Sequence, residues 1–468
     1  MADAEIAVDY LVIGAGAVGM AIADTLISES EASVAIVDRM HRPGGHWNES
    51  YPFVRLHGPS ANYGVNSKHL GSDRIDQVGL NQGLYELASG SEICTYFDEV
   101  MRENLLPTGR LHYLPMNDCD GEGVATSLIS GQQTHIIVRK KTVDATVSKT
   151  EIPATTPPKF KVDPQVTCIP PNDLVKLGAA SSSYVVIGAG KTAIDTVTWL
   201  LDNGSDPEAI TWVRPRDAWL LNRGNVQPTY EFFDATYTWL TANMEAAAKA
   251  ETVDDIFLHL EAEGCMHRID RSVMPTMYRC AIVSGQELEQ LRRVTNVVRL
   301  GHVQELRPAE MLLEGGTVSV APDTVFVNCS ADGIPRKKLG PIFQGETIVP
   351  QYVRTCSPTF SGALVAKVEL LLDNDEEKNR LTLPTPIPDE PADWVDIELN
   401  GAANTLAWMR NEALMTWLLG SRLDQFSKMT FQAAADGDQA KMQLLERYRK
   451  AIKPAVARMR EMAAAQAA

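Results

Sequence analysis

The stretch from residue 10 to residue 38 constrains this chain more than any other part of the sequence. Leu11–Ile13 is a short apolar run of the kind found in a strand buried on both faces. Gly14, Gly16 and Gly19 follow it at the spacing of the dinucleotide-binding fingerprint. In that fingerprint the first glycine permits a tight turn, the second lets the backbone approach a pyrophosphate, and the third lets the next helix pack closely on the strand. The stretch therefore predicts a strand–turn–helix unit that binds a dinucleotide.

A second apolar segment ends on an acid at the distance this unit requires. Ser33–Val37 is typical of another buried strand, and Asp38 follows it, 24 positions after Gly14. A carboxylate at this place can accept hydrogen bonds from a ribose. The N-terminus of the intervening helix would offer free N–H groups and a positive dipole end to phosphates. The full order of strand, glycine triplet, helix, strand and acid distinguishes this pattern from a glycine-rich turn in another α/β unit.

The same pattern returns in the second half of the chain. The apolar run Tyr184–Ile187 is followed by Gly188, Gly190 and Ala193, with alanine in the third position, where a small residue suffices for packing. The Gly-Lys-Thr string inside this turn resembles part of a nucleoside-triphosphate loop. That loop needs a further glycine where Val185 stands, so we reject this interpretation.

The second unit ends its second strand on a base rather than an acid. We predict this strand over Ala209–Val213, and Arg214 follows it, 26 positions after Gly188. An arginine here suits a 2′-phosphate through bidentate contacts, whereas an acidic residue would bind a free 2′-hydroxyl. We therefore predict NADP rather than NAD in the second unit. We call each of these strand–glycine turn–helix units a cradle. A chain with two cradles can pass a hydride between a nicotinamide and a flavin dinucleotide.

The segment after the first unit has neither helical nor strand periodicity. Residues 44–47 read Gly-Gly-His-Trp, and the paired glycines suggest backbone that passes close to a ligand. Tyr51–Asn66 is rich in Pro, Gly, Asn and aromatic residues, and we predict a structured loop that carries site residues. Its Arg55 and His57 could steady an anionic flavin or a peroxide, and a loop histidine with satisfied hydrogen bonds is the competing interpretation of His57.

Composition and charge narrow the class of protein. The net charge of −17 argues against non-specific binding to nucleic acid or to an anionic membrane surface. The seven cysteines include no Cys-x-x-Cys pair, which fits a reducing compartment with buried thiols rather than a disulfide framework. The N-terminus lacks the basic region of a secretory signal, and no apolar run reaches the length of a membrane span. We therefore expect a cytoplasmic protein with no metal site, nucleic-acid partner or membrane contact.

The two cradles together resemble those of the two-dinucleotide-binding flavoproteins, and specifically the flavin-containing monooxygenase branch. The residues that carry the resemblance are Gly14–Gly19 with Asp38, Gly44–Trp47, Gly188–Ala193 and Ala331–Gly333. The Gly-Gly-x-Trp element, with Gly45 and Trp47, favours monooxygenases over disulfide reductases. The resemblance covers about Tyr10 to Leu372 in order, and it is specific at these four places.

This resemblance implies which cofactor each unit binds. FAD would be bound by the first unit and NADPH by the second, and the chain would return near Asp332 to complete the FAD site. Members of the family reduce FAD with NADPH and insert one atom of molecular oxygen into a small organic substrate. An asparagine in the loop after Gly-Gly-x-Trp helps to hold the oxygenated flavin. Asn66 is the best match for this residue in the present sequence, and Asn62 is the alternate.

Two departures from the family's pattern indicate a divergent branch. The monooxygenases have a Phe-x-Gly element with a downstream histidine before the second glycine unit, and residues 158–171 contain neither glycine nor histidine. A strand that usually ends in Ala-Thr-Gly is matched by Thr142–Val147, with valine in place of the glycine.

We therefore predict an α/β protein with two Rossmann-like dinucleotide-binding domains, for FAD and NADPH, and a helical C-terminal extension. The predicted segments are a first part of the FAD domain at 1–170, an NADPH domain with a helical insertion at 180–300, a second part of the FAD domain at 301–375, and a linker with the helical extension at 376–468. The predicted function is an FAD-dependent oxidoreductase, specifically an NADPH-dependent monooxygenase of a small organic substrate. An NADPH-dependent flavin reductase or dehydrogenase without oxygen insertion, a non-catalytic redox-sensing flavoprotein, and a homodimer stay open.

Overall fold

The computed structural model describes residues 4–147, 150–333, 336 and 338–467 of the chain. Its strands are β1 Ala4–Ile13, β2 Val34–Asp38, β3 Leu111–Pro115, β4 Asn117–Cys119, β5 Val124–Ser127, β6 Gln133–Asp144, β7 Lys161–Val162, β8 Thr167–Ile169, β9 Tyr184–Ile187, β10 Ile210–Val213, β11 Ala218–Asn222, β12 Met266–His267, β13 Met277–Val283, β14 Val297–Val298, β15 Val303–Arg307, β16 Glu310–Leu313, β17 Gly316–Ser319, β18 Val325–Asn328, β19 Phe343–Gln344 and β20 Thr347–Ile348.

The helices alternate with the strands and then dominate the C-terminal part. They are α1 Ala17–Ser28, α2 Gly90–Glu99, α3 Pro171–Leu174, α4 Lys191–Asp202, α5 Phe233–Lys249, α6 Val253–Ala262, α7 Gly285–Leu291, α8 Pro358–Leu371, α9 Asp375–Leu381, α10 Asp393–Met409, α11 Glu412–Gly420, α12 Gln425–Asp436 and α13 Gln439–Ala467. A π-helical segment, Val100–Leu105, continues α2.

The first unit is built on a sheet with the strand order β19-β20-β6-β1-β2-β3, to which the β4–β5 hairpin is attached through β6. The strands β20, β6, β1, β2 and β3 run parallel. The buried strands predicted at residues 11–13 and 33–37 are β1 and β2. Every residue of β2 is buried, as expected for a parallel strand covered on both faces.

The second unit is built on a parallel sheet with the order β14-β10-β9-β18-β8. Two smaller sheets flank it: β12-β11-β13 and β17-β16-β15-β7. β9, β10 and β18 are buried along their whole length. The first glycine unit and the second thus each stand on their own parallel sheet, which is the predicted fold class.

Two crossings of the chain between the units lie next to each other. The backbone N–H of Glu151 donates to the carbonyl of Gly333 at 2.8 Å, so the outgoing and returning crossings run side by side. The predicted segment 301–375 therefore supplies strands to both units, because β15–β18 belong to the second and β19 and β20 to the first. The predicted segment 1–170 likewise gives β7 and β8 to the second unit.

The C-terminal helices pack on both units. α8 crosses α1 closely enough that a Cβ on Gly362 would lie 3.0 Å from the carbonyl oxygen of Val18. Trp408 and Trp417 pack into the core of the first unit, whereas Trp394 and Met459 pack into a cluster with α5 and α6 of the second. The extension therefore holds the two units together.

The acidic, proline-rich segment at residues 373–393 is more ordered than the predicted linker. It contains α9, and Lys378 is buried there with its Nζ 2.5 Å from the Glu369 carboxylate. The same carboxylate accepts a hydrogen bond from the Tyr10 hydroxyl at 3.1 Å, and Lys141 lies 2.5 Å from Asp375. The composition alone predicts that these charged side chains face solvent. In the structure they are neutralised by ion pairs within the protein.

The expectation of reduced thiols without a disulfide is wrong for one pair of cysteines. Cys280 in β13 and Cys356 before α8 form a disulfide, with Cα atoms 6.6 Å apart. They are 76 residues apart in the sequence, so no local sequence motif predicts the bond between them. The other cysteines, all free thiols, are Cys94, Cys119, Cys168, Cys265 and Cys329. Within the described ranges, no helix is both long enough and apolar enough to cross a membrane.

We predict that Gly19→Ala destabilises the fold by about 3 kcal/mol, at the upper end of overpacking effects. A Cβ on Gly19 would lie 1.9 Å from the carbonyl oxygen of Gly14, and backbone cannot move aside as a side chain can. Gly401→Ala in α10 is the matched control, because nothing lies within 4 Å of its Cβ, and alanine there should stabilise by about 0.5 kcal/mol or more. Urea unfolding measures both, and equal midpoints for Gly19→Ala and wild type would contradict the prediction.

Candidate functional site

α1 begins directly after the first glycine turn and has a bare N-terminus. Gly14 has a φ of +100°, and its N–H donates to the carbonyl of Val37 at 2.8 Å. Gly16 is the N-cap of α1, no side chain caps the helix, and its first turn holds no acidic residue. By contrast, α2, α6 and α7 begin with capping boxes. The N–H groups and positive dipole end of α1 are therefore left to bind an anion such as a pyrophosphate.

The Gly-Gly-His-Trp element lies against this turn. A Cβ on Gly45 would be 3.0 Å from the Cα of Gly16, and the N–H of Gly44 donates to the carbonyl of Ala15 at 2.9 Å. The backbones of Gly16 and Gly45 thus lie against each other at the start of α1. Any larger residue at Gly45 would fill the space in front of the helix N-terminus.

Asp38 closes the first cradle at its other end. The carboxylate is 8% exposed and accepts hydrogen bonds from the N–H of Ala15 and, at 2.6 Å, from the N–H of Met40. Burial raises the pKa of Asp38 above its ordinary value, and the two N–H donors oppose this rise. Asp38 is therefore at the cradle, as predicted, with both carboxylate oxygens already held by the backbone.

Buried polar atoms without partners lie on the elements around the first cradle. The hydroxyl of Tyr113 in β3, next to β2, has no hydrogen-bond partner, nor does Oδ1 of Asn62. The hydroxyls of Thr355 and Thr359, at the N-terminal end of α8, are also unpartnered. Buried polar groups are normally paired, so these atoms fit a polar ligand. FAD, with its ribose hydroxyls, phosphates and ring amides, is such a ligand, and the bare helix N-terminus fits its pyrophosphate.

Trp47, two residues after Gly45, contacts Tyr63. Its indole N–H donates to the Tyr63 hydroxyl at 2.8 Å, and burial raises the pKa of Tyr63. Asn48, which sequence reasoning missed, holds this segment in shape. It accepts from Nε of Arg42 at 2.6 Å and donates to the carbonyl of Gly45 at 3.1 Å. Its position directly after Gly-Gly-His-Trp was the signal that could have identified it.

The three predicted catalytic residues bind different parts of the molecule. Arg55 is exposed, donates to the carbonyl of Leu87 at 2.9 Å, and lines a surface cavity of about 400 Å³. Asn66 faces the C-terminal helices, where its Oδ1 accepts from the Ser421 hydroxyl at 2.8 Å and from the N–H of Arg422 at 3.2 Å. The carboxamide oxygen of Asn66 is thus already satisfied within the protein.

His57 faces the second unit. Its Nδ1 accepts a hydrogen bond from the N–H of Ile282 at 3.3 Å, and its carbonyl accepts from Nε of Arg223 at 2.9 Å. Burial, together with Lys191 and Arg223, lowers the pKa of His57 to about 3. The imidazole is therefore neutral at physiological pH, and it contributes no positive charge toward an anion.

The loop at residues 51–66 is a structured contact between the two units. The Tyr51 hydroxyl donates to Oδ2 of Asp195 in α4 at 2.7 Å, and Lys191 pairs with the other oxygen of that carboxylate. Phe53 stacks on Trp199 with ring centroids 4.9 Å apart. The predicted site loop thus rests on the helix that follows the second glycine turn.

The second cradle repeats the geometry of the first. Gly188 has a φ of +132°, and a Cβ there would lie 2.8 Å from the carbonyl oxygen of Cys329. Gly190 is the N-cap of α4, again without a side-chain cap or an acidic residue in the first turn, and nothing lies within 4 Å of its Cβ. Ala193 is fully buried at the helix–strand contact. This open helix N-terminus fits a second pyrophosphate.

Arg214 stands at the end of β10 as predicted, but it is buried. It is 3% exposed, its guanidinium lies 4.9 Å from the ring centroid of Trp212, and Asp217 pairs with it at 3.3 Å. Its Nε has no hydrogen-bond partner. Burial lowers the pKa of Arg214, and Asp217 opposes this change. Arg214 therefore carries one unused donor at the place expected for a 2′-phosphate.

Further arginines gather near the end of β10, and sequence reasoning missed them. Arg216, Arg279 and Arg336 all pair with the carboxylate of Asp389, which is buried. Burial opposes ionisation of Asp389, but Arg216 and Arg279 outweigh it and lower the pKa of Asp389. Three positive charges face one negative charge, so the cluster keeps an excess of positive charge. It is assembled from distant segments, and no local pattern could reveal it.

Asp332 lies where the chain crosses between the units. Its carboxylate pairs with Lys159, and its carbonyl accepts from Nη1 of Arg279 at 3.3 Å. The side chain is exposed. Asp332 therefore stands beside the arginine cluster. Among the described residues, no group of His, Cys, Asp and Glu side chains is placed to hold a metal ion.

Comparison with known proteins finds a match to a family model in the first unit and relatives that match most of the chain. A family model described as an NAD(P)-binding Rossmann-like domain matches residues 12–76. The uncharacterized proteins Rv2000 of Mycobacterium tuberculosis (strain ATCC 25618 / H37Rv) and Mb2023 of Mycobacterium bovis (strain ATCC BAA-935 / AF2122/97) are each 46% identical over 416 residues. The match covers 89% of this chain and 77% of theirs.

Solved structures of flavin monooxygenases share the fold. A closed crystal structure of cyclohexanone monooxygenase has a TM-score of 0.50 at 14% identity, over 94% of this chain and 99% of that one. OTEMO in complex with FAD and NADP has a TM-score of 0.48 at 14% identity, over 78% of this chain and 84% of that one. The predicted fold class, and the resemblance to flavin-containing monooxygenases at the level of the fold, are confirmed.

We predict that His57 makes the fold sensitive to acid. Its pKa is about 3 in the folded state and about 6.5 when unfolded, so the unfolded chain takes up the proton first as the pH falls below about 6.5. The free energy of unfolding should therefore fall on acidification, and the share due to His57 between pH 7.5 and 5 should be about 1 to 2 kcal/mol. His57→Asn should remove that share, measured by urea unfolding at both pH values. His112→Asn, at an exposed site, is the control, and an unchanged pH dependence in His57→Asn would refute the prediction.

Proposed function

We propose that this chain, which belongs to the same protein family as Rv2000 of Mycobacterium tuberculosis, is an FAD- and NADPH-dependent oxidoreductase. The observation that carries this proposal is the pair of bare helix N-termini, at Gly16 and Gly190, joined by one structured loop. Two dinucleotides bound there would extend from separate cradles toward a shared junction. That arrangement suits hydride transfer from one cofactor to the other.

In this proposal the first unit binds FAD. The N-terminus of α1, after Gly14 and Gly16, binds the pyrophosphate, and Gly19 lets the helix approach β1. Asp38 keeps its two backbone donors and accepts hydrogen bonds from the ribose with the remaining lone pairs of its carboxylate. Gly45 and Trp47 line the path of the cofactor beyond the pyrophosphate. FAD, when bound, supplies the redox chemistry, while the chain binds it, orients it and excludes water.

The second unit binds NADPH in the same manner. The N-terminus of α4, after Gly188 and Gly190, binds the pyrophosphate, with Ala193 at the close helix–strand contact. The unpartnered Nε of Arg214 is the donor that this proposal assigns to the 2′-phosphate. Arg216, two residues further on and 29% exposed, adds positive charge near the end of β10. The excess positive charge of the arginine cluster attracts the phosphate in a protein whose net charge is −17.

The finer proposal is a monooxygenase that uses molecular oxygen on a small organic substrate. The Gly-Gly-x-Trp element and the fold support it. A specific observation favours a second candidate, an NADPH-dependent flavin reductase without oxygen insertion. Asn66, the residue expected to hold the oxygenated flavin, is engaged by Ser421 and Arg422. Asn62, the alternate, donates its Nδ2 to Gln425 at 2.6 Å and leaves only its buried Oδ1, an acceptor, without a partner.

One experiment tests the shared part of both candidates. The absorbance spectrum of the purified protein should show a bound flavin, and anaerobic NADPH should bleach it. Protein without flavin, or flavin that NADPH leaves oxidised, contradicts the proposed function. Admission of oxygen in the presence of thioanisole or cyclohexanone then separates the candidates. Oxygenated product in proportion to NADPH supports the monooxygenase, and release of hydrogen peroxide alone supports the reductase.

We predict that Gly16→Val prevents flavin incorporation while the protein still folds. The φ of Gly16 is −70°, and a Cβ there would meet only the Cα of Gly45 at 3.9 Å, so the backbone tolerates a side chain. The added atoms would occupy the space in front of the α1 N-terminus. Bound flavin, measured by absorbance after purification, should fall below about a tenth of the wild-type amount because the pyrophosphate loses its contacts. Gly178→Val, at an exposed glycine with nothing within 4 Å of its Cβ, should keep it. A Gly16→Val protein that retains the wild-type amount of flavin would contradict the assignment of the flavin site to the N-terminus of α1.

We predict that Arg214→Gln weakens NADPH binding about tenfold or more and leaves NADH binding unchanged, since tenfold corresponds to about 1.4 kcal/mol. The reason is the loss of the donor for the 2′-phosphate, which NADH lacks. Arg216→Gln should show a smaller effect of the same kind. Arg39→Gln is the matched control. Arg39 is exposed, and it is the residue directly after β2, as Arg214 is the residue directly after β10. Dissociation constants from titration of the flavin-loaded protein measure these effects, and equal losses for both nucleotides would remove Arg214 from this role.

A further inference from the structure

Lys191 distinguishes the second cradle from the first. It is the first residue of α4, directly after the N-cap Gly190, and it belongs to the Gly-Lys-Thr string that has no role as a nucleoside-triphosphate loop. The equivalent position of the first cradle, directly after Gly16, is Ala17. The two cradles therefore share their glycine geometry and differ by one positive charge at the helix N-terminus.

The helix itself gives no reason for a lysine at this position. A cation in the first turn opposes the positive end of the helix dipole. The partner of Lys191 within α4 is Asp195, four residues later, and a base that precedes its acid on a helix is the less favourable order. The charge of Lys191 is therefore present against the local preferences of the helix, which indicates a further partner from outside it.

The ammonium group of Lys191 has donors that the chain does not use. It carries three N–H donors, and Oδ1 of Asp195 engages one of them. Within the described ranges of the chain, Nζ has no second hydrogen-bond acceptor. The side chain is 18% exposed, so the charge is only partly hydrated. Two donors beside the open N-terminus of α4 are thus available to an anion.

The geometry of the helix allows this side chain to reach such an anion. Every Cα–Cβ bond of an α-helix is tilted toward the N-terminus, so the side chain of Lys191 leaves the backbone toward the glycine turn. Its flexible four-carbon stem allows Nζ to lie either back at Asp195 or forward at a phosphate in front of Gly190. Nothing in the described chain lies within 4 Å of a Cβ on Gly190, so this space is open.

A residue of the first unit holds Asp195 in place. Oδ2 of Asp195 accepts a hydrogen bond from the Tyr51 hydroxyl at 2.7 Å, while Oδ1 pairs with Lys191. Burial, and then the neighbouring Asp195, raise the pKa of Tyr51 well above its ordinary value, so the phenol stays protonated and continues to donate. The carboxylate cannot rotate without losing one of these two partners. Tyr51 thus limits where Asp195 can hold the ammonium group of Lys191.

His57 lies close enough to Lys191 to sense its charge but adds no charge of its own. Burial is the largest cause of the lowered pKa of His57, and the charges of Lys191 and Arg223 lower it further. The neutral imidazole therefore does not compete with Lys191 for an anion at this face of the site loop.

We propose that Lys191 binds the pyrophosphate of the nucleotide in the second cradle, and that Tyr51 of the first unit positions Lys191 through Asp195. These roles rest on the proposed function, which assigns a nicotinamide dinucleotide to that cradle. NADPH and NADH both carry a pyrophosphate, so Lys191 contributes to the affinity for both. Arg214 differs, because its assigned contact is the 2′-phosphate. The first unit thus influences how tightly the second unit binds its nucleotide.

Calorimetric titration of the flavin-loaded protein with NADP⁺ and NAD⁺ tests the role of Lys191, since the oxidised nucleotides bind without reducing the flavin. Lys191→Met should raise both dissociation constants about tenfold or more, the effect of losing one charge-assisted hydrogen bond. Lys191→Arg keeps a cation and should recover most of this affinity. Lys450→Met is the matched control, because Lys450 is exposed and also pairs with an acid four residues away on its own helix.

A double-mutant cycle tests the role of Tyr51. Tyr51→Phe removes only the hydroxyl, and it should raise the dissociation constants of both nucleotides about threefold. In the Lys191→Met background the same change should have no effect, because the ammonium group that Tyr51 positions is absent. A merely structural role of Tyr51 would instead weaken binding by the same factor in both backgrounds, and that result would overturn the positioning role.

The outcomes distinguish the role of Lys191 from the proposed function. If Lys191→Met binds both nucleotides as tightly as wild type, the role of Lys191 is overturned and the proposed function stands. A loss of affinity for NADP⁺ alone would also overturn it, because the lysine would then contact the 2′-phosphate. Lys191→Gln is a second variant with the same expected loss, so a methionine variant that fails to fold does not rescue the idea. If wild type binds neither nucleotide, the proposed function fails, and the role of Lys191 fails with it.

Discussion

The hydrogen bond from Tyr51 to Asp195 is the contact on which the relation between the two cradles depends. It runs from the loop of the first unit to the helix that opens the second cradle, and it is buried. Lys191 neutralises the same carboxylate, so the desolvated charge is paired. Phe53 stacked on Trp199 shields the contact from water. The loop of the first unit is thereby fixed against α4, the helix that begins at the second glycine turn.

Those parts of the fold that depend on local sequence could be predicted from it. β1, β2, β9 and β10 are apolar runs, and the glycine spacing determines where each helix starts, so both cradles were recognisable. The predicted catalytic residues show the limit of this approach. Arg55, His57 and Asn66 lie in the right loop, yet each side chain binds a partner from a different distant segment. A loop without periodicity does not encode which way its side chains face.

Long-range electrostatic interactions explain most of the remaining differences between the sequence-based predictions and the structure. The acidic segment at residues 373–393 reads as a linker because its composition does not reveal the lysine partners brought by other elements. The arginine cluster around Asp389 joins residues up to 173 positions apart. Within a protein of net charge −17, such a cluster creates a local positive field that the overall composition hides. The Cys280–Cys356 pair escaped notice for the same reason, since its two halves share no motif.

The adjacent crossings at Glu151 and Gly333 make the second unit an insertion in the first. Its entry and exit are joined by a backbone hydrogen bond of 2.8 Å, so the two connections together act as a single narrow hinge. Rotation about this hinge would have to carry α13 along, because α13 packs on α5 of the inserted unit while α10 and α11 continue into the core of the first. The C-terminal helices thus form a second connection between the two units. It starts close to the first one, because Asp389, just before α10, pairs with Arg279, which donates to the carbonyl of Asp332. Two units that are joined both by the paired crossings and by a packed helical extension cannot separate widely without breaking the contacts of that extension.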